Sequence, residues 1–290
     1  MDSSSLILLC IWVFAAFSGA SSGEARPFGL GVDKYVCTYL GGAVINVEQV
    51  NDTGTVAKLP AVRTVFAEWN VPWLKVPSGL NLSDPNNRHS LAQWVGILGG
   101  NCDEPGWFPF LQAGTAIDMD EKGVTEANAW VEWFPAGAHT IPNENMTINP
   151  GDQILTTIDV YTRTTGHVHM KNIRTGQEYE TNVTADSPDD PQYQICLGKG
   201  TGQFFQEWTI ANDRADVPVF NNVTFVGVGA IDRHGKAFDF STGTGDYWNM
   251  TDSGRQVAIP EGTGQKSFVV YSPEGRMWIP PDEDHPPKTT

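Results

Sequence analysis

Three residues of one short segment, Trp130, Glu132 and Phe134, have the side-chain types and the spacing of a binding surface. In a β-strand successive side chains point to opposite faces, so these three share one face while Val131 and Trp133 share the other. An aromatic–carboxylate–aromatic face can hold an extended peptide by stacking on its side chains and bonding its polar main chain. Because large aromatic residues on strands often belong to the core, we assign the Trp133 face to the core and the Trp130 face to a cleft.

Seven short segments follow one another along the chain: Tyr39–Ala43, Phe66–Pro72, Trp94–Ile97, Phe110–Gly114, Ala129–Pro135, Asn172–Gln177 and Glu207–Ala211. Taken together, they resemble the core of the glutamic peptidases, also called eqolisins. Each motif is weak alone, but their shared order from Tyr35 to Ser272 is specific. The resemblance implies an all-β, lectin-like sandwich that cuts proteins at acid pH with a Gln–Glu dyad.

The resemblance also assigns roles to individual residues. It makes Gln112 the amide donor that stabilises the oxyanion of the tetrahedral intermediate. It places Trp94, Trp130, Glu132 and Phe134 in the substrate cleft, with Phe134 standing where the family has Tyr.

The residue that should act as general base is missing. The family's strand ends in Glu where this chain has Ala211, and alanine cannot take a proton from water. Glu207 lies four residues earlier, roughly 13 Å away along a strand, and Asp213 lies about 7 Å further on. Glu132 could act through water.

Other family carboxylates are also replaced. Leu98 and Asn128 stand where relatives have Asp, and Asp118 is shifted by two residues from a further family Asp. These changes predict a peptide-binding member of the family in which hydrolysis is impaired. The alternatives are an active acid endopeptidase that uses another carboxylate, and a lectin-like carbohydrate binder, which ten Trp residues would allow.

Two other chemistries have less support. His167 and His169 could face one side of a strand and bind a metal, but a third ligand is not evident. The sole Gly-X-Ser-X-Gly match, Gly19 to Gly23, does not lie between a strand and a helix as a serine hydrolase requires. We therefore predict no metal and no cofactor.

Composition independently predicts β structure. The chain has 30 Gly, 19 Pro and 11% aromatic residues, with almost no helical periodicity. Runs such as 64–71, 153–161 and 220–230 read as strands that end at Pro and Gly turns. Many short strands indicate a sandwich or jelly roll, and the resemblance specifies a two-sheet antiparallel β-sandwich, a concanavalin-like jelly roll, over residues 35–279.

The N-terminal segment predicts secretion to the extracellular space. Leu6 to Phe17 is an unbroken apolar run, too short to span a bilayer, and Ser18-Gly19-Ala20 resembles a cleavage site. Residues 1–20 are thus a predicted signal peptide, 21–34 a flexible N-terminal segment and 280–290 a flexible acidic tail.

Sequons and cysteines fit that route. Six Asn-X-Ser/Thr sequons predict a glycoprotein; they lie at Asn51, Asn81, Asn145, Asn182, Asn222 and Asn249. Cys37, Cys102 and Cys196 follow the signal peptide, an odd number for an oxidising compartment. The resemblance pairs Cys102 with Cys196, which leaves Cys37 either buried and inert or a free thiol.

The strong negative charge limits the class of partner. A formal net charge of −16 argues against nucleic acid and anionic membranes. Near pH 4 roughly half of ordinary carboxylates are protonated, so self-repulsion falls in acid. The predicted partner is a peptide or protein substrate or ligand, and the predicted state is a monomer.

Overall fold

A computed structural model gives the fold of the chain. It describes residues 34–37, 40–46, 49–50, 56–57, 62–76, 89–99, 109–120, 122–196, 201–208, 218–240, 244–252 and 255–276. The predicted signal peptide, the acidic tail and Ala211 lie outside these ranges. So do Cys102, Asn51 and Asn81.

Short β-strands make up most of the described chain. They are β1 (Lys34–Cys37), β2 (Leu40–Asn46), β3 (Gln49–Val50), β4 (Val56–Ala57), β5 (Val62–Asn70), β6 (Leu74–Lys75), β7 (His89–Leu98), β8 (Phe110–Met119), β9 (Thr125–Phe134), β10 (His139–Ile141), β11 (Gln153–Val160), β12 (Thr165–Asn172), β13 (Glu178–Thr184), β14 (Thr201–Trp208), β15 (Val219–Phe220), β16 (Val223–Asp232), β17 (Ala237–Phe238), β18 (Thr244–Asp252), β19 (Arg255–Gly264) and β20 (Ser267–Tyr271). A 3-10 turn, Pro191–Tyr193, precedes β14. In the described ranges no helix is long and apolar enough to cross a membrane.

Most strands join one hydrogen-bonded ladder, in the order β10-β9-β8-β7-β14-β2-β18-β19-β20-β16-β5-β11-β12-β13. Strand β19 passes from one half of the ladder to the other, since its first residues pair with β18 and its later ones with β20. The pairs along this order are antiparallel, whereas β1 pairs with β18 in parallel. The prediction of an all-β chain with antiparallel sheets is confirmed.

Alternating burial explains why these segments form strands. In β5 the residues Val65, Ala67 and Trp69 are fully buried while their neighbours are partly exposed, and β11 and β12 alternate in the same way. A segment with this period-two pattern buries one face of a sheet. The strands predicted at 64–71 and 153–161 are therefore confirmed.

The two halves of the ladder share one hydrophobic core. Ile97, Leu111 and Trp133 from the half that contains β8 lie in the same buried cluster as Trp69 and Ile158 from the half that contains β5. A polar contact also joins the halves within this core. The indole Nε1 of Trp69 donates to the hydroxyl of Thr115 at 3.1 Å, and that hydroxyl donates to Oε1 of Gln93 at 3.3 Å.

We expect Thr115→Val to lower the free energy of unfolding by about 1–3 kcal/mol, because the buried indole N–H of Trp69 loses its acceptor. Thr156→Val is the matched control. Thr156 is equally buried, but its hydroxyl has no hydrogen-bond partner in the described part of the chain, so its removal should cost little. Denaturant unfolding compares the two variants, and equal losses would contradict the role of the Trp69 contact.

A buried carboxylate anchors the hairpin between β12 and β13. Asp152 is fully buried, and it accepts from Asn172 Nδ2 at 2.6 Å, from the backbone N–H of Asn149 at 2.9 Å and from Arg174 Nε. The hairpin closes through Gly176, whose φ of 74° suits glycine. The hairpin predicted at 172–177 is confirmed, and Asp152 is satisfied by these bonds rather than free for chemistry.

Candidate active site

Strands β8 and β9 bring Gln112 and Glu132 directly opposite each other in their antiparallel ladder. Gln112 Nε2 donates to Glu132 Oε2 at 2.6 Å. The side chain of Gln112 is buried, with 1% of its surface exposed, while Glu132 is partly buried. Two residues that lie 20 positions apart in the sequence thus form one amide–carboxyl pair.

Aromatic and aliphatic side chains surround the pair on the same face of the sheet. This second apolar cluster is separate from the main core and contains Leu40, Val44, Ala92, Trp94, Leu98, Phe110, Trp130, Phe134 and Trp248. Within it the ring centroids of Phe110 and Phe134 stand 4.8 Å apart and those of Trp94 and Phe110 6.1 Å apart, both nearly parallel. We call this set the site cluster.

The structure confirms how the β9 side chains divide between the two faces. Val131 and Trp133 lie in the main core, and the indole N–H of Trp133 donates to the carbonyl of Tyr193 at 2.8 Å. Trp130 and Phe134 lie in the site cluster. They are 7% and 2% exposed, so these rings pack as a closed apolar floor, and Glu132 is the partly exposed member of the face.

Two glycines let the rings and Gln112 approach the sheet closely. Gly96 lies opposite Gln112, and a Cβ atom there would stand 3.1 Å from Gln112 Cβ and 3.2 Å from the Trp94 ring. Gly114 lies between Trp94 and Trp130 in the ladder. A Cβ atom at Gly114 would stand 2.2 Å from the Gln93 carbonyl oxygen and 2.6 Å from Trp94 Cβ.

We expect Gly114→Ala to destabilise the fold by about 1–3 kcal/mol, because the added methyl group forces backbone to move. Gly137→Ala is the matched control, since a Cβ atom there meets nothing within 4 Å. Thermal unfolding monitored by tryptophan fluorescence should separate the two. A Gly114→Ala variant as stable as Gly137→Ala would show that β7 and β8 are spaced differently.

Burial changes the acidity of the pair. Desolvation raises the pKa of Glu132 to about 7, although the hydrogen bond from Gln112 acts in the opposite direction. A carboxyl group in apolar surroundings keeps its proton because the ionised form loses the solvation of water. Below neutral pH Glu132 is therefore mainly a neutral acid.

In the described ranges, the other carboxyl groups of this face lie far from Gln112 when measured along the sheet. Asp118 and Glu126 are opposite each other on β8 and β9, exposed, and six residues from the Gln112–Glu132 pair, about 20 Å along the strands. Asp246 on β18 was not predicted. Register places Asp246 level with Gln112 through Val44 and the intervening strands, four strand spacings or about 19 Å away along the sheet.

Neither replaced family position supplies a carboxylate. Leu98 is 6% exposed and belongs to the site cluster, and Asn128 is partly buried opposite Ala116. On β7, β8 and β9, Glu132 is thus the carboxyl group that contacts Gln112.

The backbone pairing of β14 determines which of its residues is level with Gln112. Gln203 pairs with Gly96, the residue that itself pairs with Gln112, so Gln203 is level with Gln112. Glu207 pairs with Ala92, about 13 Å further along the sheet. The described part of this strand ends at Trp208, before Ala211.

The two histidines predicted as a possible metal pair lie on β12 beside carboxylates of β13. His167 Nε2 is 3.9 Å from Glu180 Oε2, and His169 Nε2 is 3.5 Å from Glu178 Oε2. Hydrogen bonds from Lys171 and His169 lower the pKa of Glu178. In the described chain no three His, Cys, Asp or Glu side chains form a group that could hold a metal ion.

The described sequons differ in exposure. Asn145, Asn182 and Asn222 are exposed, whereas Asn249 is only 3% exposed, so a glycan on Asn249 would have to displace packed side chains. Cys196 is buried and disulfide-bonded. Its pairing with Cys102 stays a prediction, since Cys102 lies outside the described ranges.

The fold and the pair define the class: an antiparallel β protein of the glutamic-peptidase kind. The chain belongs to the Peptidase A4 family, whose model matches residues 50–271. Sequence comparison finds 30% identity over 105 residues to aspergillopepsin-2 of Aspergillus niger, covering 35% of each chain. It finds 30% identity over 94 residues to scytalidopepsin B of Scytalidium lignicola, covering 32% of each. The match thus spans about a third of the length of these relatives.

Solved structures give the same fold. A scytalido-glutamic peptidase bound to a transition state analog inhibitor aligns with a TM-score of 0.59 at 19% identity, over 83% of this chain and 100% of that one. The aspergilloglutamic peptidase of Aspergillus niger aligns with a TM-score of 0.51 at 23% identity, over 63% and 99%. The resemblance to glutamic peptidases is therefore confirmed.

Proposed function

We propose that this chain is a secreted glutamic-peptidase relative, with a concanavalin-like two-sheet jelly roll, that binds peptides but hydrolyses them poorly. The observation that carries the proposal is the buried Gln112–Glu132 pair within the site cluster, in a chain with Ala211 at the family's Glu position. Solved relatives hold a tripeptide and a peptide-based analog, and we extend that ligand class to this chain.

Impaired hydrolysis at acid pH follows from the state of Glu132. A general base must be ionised to accept a proton from water, and burial raises the pKa of Glu132 to about 7. Near pH 4 about one Glu132 carboxyl group in a thousand would be ionised. The carboxyl group beside Gln112 therefore cannot supply the missing base under the acid conditions in which the resemblance implies catalysis.

One alternative function has a specific observation in its favour. Because Glu132 contacts Gln112 and ionises near neutral pH, the pair could hydrolyse peptides above about pH 7, with Glu132 as base. This version would be a neutral endopeptidase rather than an acid one.

Digestion of denatured protein by the purified mature chain tests the proposal. At pH 4 we expect a rate about 10²–10⁴-fold below that of scytalidopepsin B, the range that a general base contributes. The Gln112→Leu variant is the control for site-dependent cleavage. Fast cleavage at pH 4 that Gln112→Leu abolishes would overturn impairment, and Gln112-dependent cleavage that appears only near pH 8 would establish the alternative.

The predicted secretion implies two kinds of covalent modification. We infer N-glycans on the exposed Asn145, Asn182 and Asn222, and a bridge between Cys102 and Cys196. Non-reducing peptide mapping identifies both the glycosylated peptides and the disulfide-linked ones. A bridge from Cys196 to Cys37 would contradict the pairing, and unmodified Asn145, Asn182 and Asn222 would contradict the glycans.

A further inference from the structure

The amide of Gln112 has one engaged end and one unengaged end. Its Nε2 donates to Glu132 Oε2 at 2.6 Å, whereas its buried Oε1 has no hydrogen-bond partner in the described part of the chain. A buried carbonyl without a donor is costly. Gly96 lies opposite Gln112 and places no side chain of its own beside it, so a ligand must enter among the rings of the site cluster to reach this buried oxygen.

Protonation of Glu132 changes which end of the Gln112 amide can form a hydrogen bond with the Glu132 carboxyl group. An ionised carboxylate only accepts hydrogen bonds, so it requires the NH₂ group of Gln112. A protonated carboxyl group has an O–H donor, which in apolar surroundings requires an acceptor. A half-turn about the last side-chain bond of Gln112 exchanges its nearly isosteric NH₂ group and oxygen without moving the backbone.

We propose that the protonation state of Glu132 determines which end of the Gln112 amide meets a ligand. With Glu132 ionised, Gln112 presents its carbonyl oxygen and binds an N–H donor, such as the main chain of an extended peptide. With Glu132 protonated, Gln112 presents its NH₂ group and binds a carbonyl oxygen or an oxyanion. This inference rests on the proposed peptide-binding function and states which hydrogen-bonding group of a peptide the site recognises in each protonation state.

Among the residues that the structure describes, few other charges lie near this pair. On the same face, Asp118 and Glu126 are exposed and about 20 Å away along the strands. On β10 the exposed His139 pairs with Val131, and on β14 Glu207 pairs with Ala92. Asp246 lies four strands away. Desolvation raises the pKa of Glu132 to about 7 although the hydrogen bond from Gln112 lowers it, so the switch should occur near neutral pH.

Two neutral peptides distinguish the two orientations. The first is a hexapeptide with phenylalanine and leucine at its centre, and the second replaces the central amide with a ketomethylene group, which keeps the carbonyl but removes the N–H donor. At pH 5 we expect similar dissociation constants by calorimetry. At pH 8 the ketomethylene peptide should bind at least about tenfold more weakly, because the Gln112 carbonyl is left unpaired.

Matched variants locate the titrating group. Glu132→Gln should make the ratio of the two dissociation constants independent of pH, while Glu126→Gln, an exposed position on the same strand and face, should behave as the natural chain. A ratio that does not change between pH 5 and pH 8 in the natural chain overturns the proposal. Mass spectrometry of the recovered peptide reports cleavage, which would count against impaired hydrolysis and not against the switch.

Neutron diffraction tests the switch without a ligand. In crystals equilibrated near pD 5 and pD 8, the deuterons of Gln112 Nε2 should point to Glu132 only at the higher value. Deuterons that point to Glu132 at both values, as in a cyclic acid–amide pair, would overturn the proposal. Failure of both peptides to bind would contradict the proposed function, and the neutron result would still decide the switch.

Discussion

Replacement of Ala211 by glutamate should raise the cleavage of denatured protein at pH 4 by about 10²–10⁴-fold, the usual contribution of a general base. The natural chain keeps the amide of Gln112 and the site cluster, but Glu132, protonated in acid, cannot take a proton from water. Glutamate at position 211 would supply a carboxylate where the family has one. Restoration can fall short of this range because Leu98 and Asn128 also replace family carboxylates.

Two control variants make this experiment specific. Ala211→Gln adds the same bulk without a proton acceptor and should stay inactive. Gln203→Glu puts the carboxylate at the residue that backbone pairing places level with Gln112. The family motif favours position 211 and the pairing favours position 203. Activity in Gln203→Glu but not in Ala211→Glu would show that the motif misplaces the base.

Sequence patterns predicted the strand faces because period-two alternation is a local property. Trp133 and Trp130 are three residues apart and belong to different clusters, as parity on a strand requires. The strands around Trp69 and Ile154 were predicted for the same reason. The family could be recognised because several weak motifs kept their order along the chain.

The contacts of the candidate site depend on register, which local sequence does not encode. Gln112 and Glu132 are twenty residues apart, and only the antiparallel pairing of β8 with β9 makes them opposite neighbours. The sequence placed both in one cleft but did not predict their hydrogen bond. Asp246 was missed because its level in the sheet follows from pairings across four other strands.

The burial of the aromatic rings also could not be predicted from the sequence. Alternation shows that Trp130 and Phe134 share a face, but it does not show whether that face is open or covered. In the structure Phe110 stacks with both Trp94 and Phe134, and these rings form a nearly solvent-free floor together with Trp130. That packing is what desolvates Glu132, so its raised pKa could not be inferred from residue order.

Replacement of Glu132 by glutamine should stabilise the protein at pH 8 by up to about 3 kcal/mol relative to the natural chain, and by almost nothing at pH 4. Burial raises the pKa of Glu132 from 4.5 to about 7 in the folded state. The folded chain therefore binds the proton more tightly than the unfolded chain. The stabilisation of the fold by this tighter proton binding is fully present below about pH 4.5 and is lost as pH rises through about 7. Glutamine keeps the shape and never ionises.

Denaturant unfolding at both pH values measures this effect, with Glu126→Gln as the matched control. Glu126 is exposed and opposite Asp118, so its replacement removes a like-charge pair and should change stability by less than about 1 kcal/mol. A Glu132→Gln effect that is the same at pH 4 and pH 8 would mean that Glu132 titrates as an ordinary surface carboxyl group. It would then be ionised at pH 5, and Gln112 would keep one orientation over the whole range in which the peptides are compared.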